Sequence, residues 1–164
     1  MVPAYGHLLA KREGLSTKKF PASRIYTALK HVKALKEAPR LFAIHVGTND
    51  LATCSIQEIL DGYDELTGEI RSRFPGSKIV LSCLVNRSDD EQLQNMIEYI
   101  NACLTLEYEN DPHIKVCKHP DIGLDSLWKD GIHLINSGTS RLASDLRAAI
   151  AKTLGVPLNK KKKE

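Results

Sequence analysis

Two short segments carry residue types and spacings that could do chemistry. In Trp128-Lys129-Asp130-Gly131-Ile132-His133-Leu134, an aspartate and a histidine lie three residues apart. A single turn can bring the Asp130 carboxylate to one imidazole nitrogen of His133, which leaves the other nitrogen free to act as a base. In His45-Val46-Gly47-Thr48-Asn49-Asp50-Leu51, Gly47 permits a tight turn and the Asn49 amide can donate hydrogen bonds into a cleft. Each segment has a plainer reading as well. Asn49 can cap its own backbone, and Asp130 can be a capping residue beside an incidental surface histidine. Taken singly, the segments favour the plainer readings.

The surrounding pattern shows which elements must hold these segments. Leu41-Phe42-Ala43-Ile44-His45-Val46 is a nearly continuous apolar run ending at Gly47, as expected of a strand buried on both faces. Ile56, Ile59, Leu60, Tyr63, Leu66, Ile70 and Phe74 then recur at spacings of three and four. Ser55 with Glu58 three residues on forms a capping box, so the spacing predicts a helix to about Arg73, before Pro75-Gly76. Lys78–Val85 reads as a second strand and Leu93–Tyr108 as a second long helix. His113–Cys117 reads as a short strand, and a last helix carries Leu142, Leu146, Ala149, Ile150 and Leu154 on one face. Upstream, Ile25, Leu29, Val32 and Leu35 mark a first helix with Ser23 as its cap. Strands alternating with helices predict a three-layer α/β/α domain with a mainly parallel sheet. Ligands of such a fold sit beyond the carboxyl ends of the strands, where Gly47–Asp50 lies.

Taken together and in this order, the two segments resemble the SGNH (GDSL-type) hydrolase family. Gly47-Thr48-Asn49-Asp50 matches its Gly-x-Asn-Asp block and Asp130-Gly131-Ile132-His133 its Asp-x-x-His block, followed by Asn136, Gly138 and the Leu142-Ala143 helix. The wording is especially similar to the esterase-type domain carried by some non-LTR retrotransposons and by host proteins descended from them. The resemblance covers about residues 20–155 and implies a flavodoxin-like sheet and acyl-ester hydrolysis. It also implies roles: Asn49 as oxyanion-hole donor, His133 as general base, Asp130 as the group that orients it, and His45 and Asp50 as structural neighbours.

The family's first block, Gly-Asp-Ser at the end of a central strand, has no counterpart. The nearest alignment places Gly6-His7-Leu8 there, with Leu8 at the serine position. Pro21-Ala22-Ser23-Arg24-Ile25 stands where a glycine would supply a second oxyanion donor, so Ala22 or Ser23 would offer its N–H instead. Ser16 reads as a loop residue. The first ten residues substitute for the absent strand, or the chain is a fragment of a longer product. Three functions follow. The first is a catalytically impaired domain kept for binding an acyl or acetyl ligand or a partner protein. The second is an active esterase using another serine, or one supplied from outside the chain. The third is a retroelement-derived accessory domain associated with nucleic acid.

Charge bears on the third. Residues 1–40 carry nine Lys/Arg against two Glu, net +7; residues 41–159 carry ten against seventeen, net −7; and Lys160–Lys163 with Glu164 add +3, giving +3 in all. A basic start can be an electrostatic footprint for nucleic acid, but a solvated helix with lysine on its outer face accounts for it as well. The expected organisation is a basic segment (1–19), the hydrolase-like domain (20–155) and a disordered lysine-rich tail (156–164). No apolar run approaches the roughly 20 residues needed to span a bilayer, and the amino terminus does not read as a signal peptide, so an intracellular site, cytoplasmic or nuclear, is expected. Cys54, Cys83, Cys103 and Cys117 lack metal or redox spacing and read as reduced thiols; neither a metal nor a cofactor is expected.

Overall fold

The computed structural model describes residues 17–157. Expectations for residues 1–16, Ser16 included, and for the lysine tail fall outside these. The chain runs α1 (Ile25–Ala34), β1 (Leu41–Ile44), a 3-10 turn (Thr48–Asp50), α2 (Ile56–Arg73), β2 (Lys78–Ser82) and α3 (Glu91–Tyr108). It continues through β3 (Ile114–Cys117) and a second 3-10 turn (Leu124–Ser126) to α4 (Asn136–Leu154).

The three strands are parallel in the order β1-β2-β3, with Phe42 opposite Ile79 and Ile79 opposite Ile114. Alternation along β2 divides the core. Ile79 and Leu81 point into a cluster with Leu66 and Ile70 of α2 and Ile97 and Ile100 of α3, onto which α1 packs through Ile25 and Leu29. Val80 points the other way, to Leu142, Leu146 and Ala149 of α4. Helices therefore cover both faces, and the three-layer expectation holds. Full burial of side chains such as Ile79, Leu81, Leu66 and Ile97 stabilises the fold by about 1.5–3 kcal/mol each. Among the described residues no strand pairs with the free edge of β1, where Ala43 is exposed.

Local signals explain most element ends. The Ser55 hydroxyl accepts from the Glu58 N–H while the Glu58 carboxylate accepts from the Ser55 N–H, so the capping box is formed as read. At α3 the cap is Asp90, accepting from Gln92 and Leu93. Helix α4 begins at Asn136, well before its apolar face starts, because Gly138 lets its first turn close onto Ser126. Helix α1 departs from expectation: its N-cap position is Arg24, and neither Arg24 nor Ser23 caps with a side chain. Instead Asp50 reaches across 25 residues and accepts from the Ile25 N–H at 3.1 Å. Cys83 and Cys117 are buried, Cys54 and Cys103 half-buried, and all four are free thiols.

Candidate active site

Gly47 turns the chain out of β1 with φ +124°, a conformation that side chains disfavour. A β-carbon there would lie 2.2 Å from the Tyr63 hydroxyl. That buried hydroxyl donates to the Val46 carbonyl at 2.6 Å and so fixes the turn from beneath. Burial, then the neighbouring Asp50 charge, holds Tyr63 firmly protonated. Above it, the Asn49 amide donates to the Ser23 carbonyl at 3.0 Å. The structure thus brings Asn49, Ser23 and the half-buried Ala22 to one place. One of the two Asn49 amide hydrogens is engaged there, and the other has no partner among the described residues.

The second segment is the tip of a small hairpin in which Leu127 bridges Leu134 and the Trp128 N–H donates to the His133 carbonyl at 2.7 Å. Asp130 Oδ1 accepts from the backbone of Ile132 and His133, while Oδ2 lies 2.6 Å from His133 Nδ1. Asp130 falls to a pKa of about 2, first through the His133 hydrogen bond and then through those two N–H groups. A carboxylate at that distance fixes the hydrogen on Nδ1 and leaves Nε2 as the acceptor. His133 is 74% exposed, and among the described residues no serine lies within hydrogen-bonding distance of its Nε2.

A third segment joins these two. Arg87, almost fully buried, grips Asp89 with Nε and one terminal nitrogen (2.8 and 2.6 Å) and donates from the other to the Thr48 carbonyl at 3.2 Å. The next N–H, from Ser88, donates to the Gly131 carbonyl at 2.9 Å. Gly131 adopts φ +70°, and a β-carbon on it would strike the Asp89 backbone. The Gly47–Asp50 turn and the Asp130–His133 hairpin are therefore both tied to residues 87–89.

A further cluster at the strand ends escaped the sequence reading. Ser82 Oγ lies 2.9 Å from His45 Nδ1 and 2.7 Å from His119 Nε2, and His119 Nδ1 lies 2.9 Å from Asp145 of α4. A signal did exist, since His45, Ser82 and His119 each stand at or just after the carboxyl end of a strand, where such folds place their sites. Beside His119 an open groove of about 580 Å³ is lined mainly by Leu84, Val85, Ala102, Leu106 and Ile122. Among the described residues, no three His, Cys, Asp or Glu side chains gather as a metal site. No described helix is long and apolar enough to cross a membrane.

No protein-family model matches the sequence, and no curated protein does. Solved structures do. A Bacteroides fragilis protein named as an acylhydrolase superposes with a TM-score of 0.72 at 16% identity, over 92% of this chain and 80% of its own. A lipolytic G-D-S-L family member from Veillonella parvula gives 0.67 at 14% identity, over 92% and 91%. An acetyl esterase gives 0.64 at 16% identity over 71% of this chain, and the match spans 59% of the esterase, under two thirds of its length. The chain has the fold of the SGNH/GDSL-type hydrolases, reduced among the described residues to three strands and four helices.

Proposed function

We propose that the chain is a hydrolase-like domain that binds an acyl or acetyl ligand while the family's route to ester hydrolysis is impaired. The observation that carries this is the state of His133: oriented by Asp130 at 2.6 Å, it meets no serine among the described residues. The members of a nucleophile–base–acid set act as a unit, so a base without its nucleophile forfeits most of the acceleration. What remains favours binding. Among the described residues Asn49 keeps a free amide hydrogen beside Ser23, and the groove next to His119, about 580 Å³ and mostly apolar, is of the size that takes small ligands.

The test is treatment of the folded chain with a fluorophosphonate, which bonds to a serine activated by a neighbouring base, followed by mass mapping. The expected result is no adduct dependent on His133, together with saturable binding of acetate or a short fatty acid. A single-serine adduct that disappears in His133→Ala, with matching ester turnover, would overturn the proposal.

A further inference from the structure

The contacts among His45, Ser82, His119 and Asp145 are all satisfied by one continuous order of hydrogens. An ionised Asp145 can only accept, so His119 Nδ1 carries a hydrogen. When His119 carries a single hydrogen, on Nδ1, its Nε2 is an acceptor and the 2.7 Å contact with Ser82 takes the serine hydrogen. The alternative acceptor for that hydrogen, the Cys83 carbonyl, is more distant at 3.2 Å. With its hydrogen committed, Ser82 Oγ must accept from His45 Nδ1–H at 2.9 Å. In that order every bond points one way, from His45 through Ser82 and His119 to Asp145. Ser82 is 1% exposed and the His119 side chain 3%, so the middle of the chain is dry. His45 is an exposed residue whose Nδ1 faces Ser82 and whose Nε2 has no partner among the described residues.

We propose that His45 is a second proton-accepting site, serving a water or alcohol that attacks an ester carbonyl, with Ser82, His119 and Asp145 as positioning residues behind it. As the hydroxyl oxygen forms its bond to the carbonyl carbon, its proton passes to His45 Nε2. The Nδ1 proton moves to Ser82 Oγ, and the serine's own proton moves to His119 Nε2. The charge comes to rest on a His119 imidazolium paired with Asp145. When the carbon–oxygen bond to the leaving group breaks, the departing alkoxide takes a proton from His45 Nε2 and the relay runs back; nothing is oxidised or reduced.

This arrangement resolves a tension at His45. Burial of the imidazole, then the neighbouring His119, lowers its pKa. A lone histidine there would hold a proton poorly, whereas the relay passes the charge on to His119, which Asp145 pairs with. The other titratable groups nearby are Cys83 and Cys117, both kept as neutral thiols by burial, and Lys118. No residue of the Asp130–His133 pair takes part; the inference shares only the ester class with the function proposed above.

The test uses the full chain at neutral pH with two readouts, nitrogen-15 NMR of the imidazoles and hydrolysis of p-nitrophenyl acetate. The expected spectrum shows both His45 and His119 protonated on Nδ1, with His45 moving to the Nε2–H form in Ser82→Ala. Residual hydrolysis should fall by about 10²-fold, or to the buffer rate, in both His45→Gln and Ser82→Ala. His113→Gln, on an exposed loop, should leave it unchanged. If Ser82→Ala does not fold, Asp145→Asn probes the same dependence from the part-exposed end of the relay. His45 protonated on Nε2 in the unaltered chain, or hydrolysis undiminished in either variant, overturns the inference. Turnover lost in His133→Ala counts instead against the impaired dyad and is distinguished by the His45 spectrum.

Discussion

Asp130 and His133 stand three residues apart on a hairpin tip, with side chains 45% and 74% accessible. His119 and Asp145 meet across 26 residues, and the His119 ring is shut between sheet and helix. The distances are similar, 2.6 and 2.9 Å, yet the physics differs. In the exposed pair, water competes for both partners and little stability is at stake. In the buried one, each polar atom that loses its partner keeps the full cost of leaving water. The first pair can be altered for chemistry at little cost to the fold; the second ties its chemistry to the fold.

The sharpest way to break this contrast is His119→Ala. It strips partners from both Ser82 and Asp145 and opens a buried void, and should cost about 3 kcal/mol in denaturant unfolding. A loss no larger than that of a surface substitution would put the two pairs in one class.

A smaller effect comes from pH. His45 is lowered from its ordinary 6.5 to about 4 in the folded chain. Between those values the unfolded chain binds the extra proton, so stability from this residue is complete above pH 6.5 and drains away as pH falls towards 4. Thermal melts across that range should show the decline, and His45→Gln should flatten it. Asp130, with its pKa of about 2, acts in the same direction only at lower pH, between its ordinary value and 2.

The smallest effect is expected of Asp130→Asn. The melting temperature should fall only slightly at neutral pH, while the His133 ring loses its fixed tautomer in NMR. A clear drop in melting temperature would mean that the hairpin supports the fold.

The same contrast explains what the sequence could show. Asp130 with His133, Gly47 with Asn49, and Ser55 with Glu58 are interactions between near neighbours, so spacing alone reveals them. The alternation of strands and helices gave the three layers in the same way. Asp50 capping α1, and the relay through residues 45, 82, 119 and 145, depend on pairings made only after the sheet assembles. No local pattern marks Ser82 inside an apolar strand or His119 before a proline. A recognisable block marks the end of β1 at Gly47; the same strand-end rule at β2 and β3 points to Ser82 and His119.

Arg87 has a consequence for how this end of the molecule comes apart. One guanidinium holds the Thr48 carbonyl and Asp89, and the adjoining N–H holds Gly131. Three stretches of chain far apart in sequence are thereby made into one mechanical piece. Backbone amides such as those of Ser88 and Asp50 should exchange with solvent through a single shared opening. Lysine at position 87 would preserve the charge but lose the fork, and each stretch would then open on its own clock.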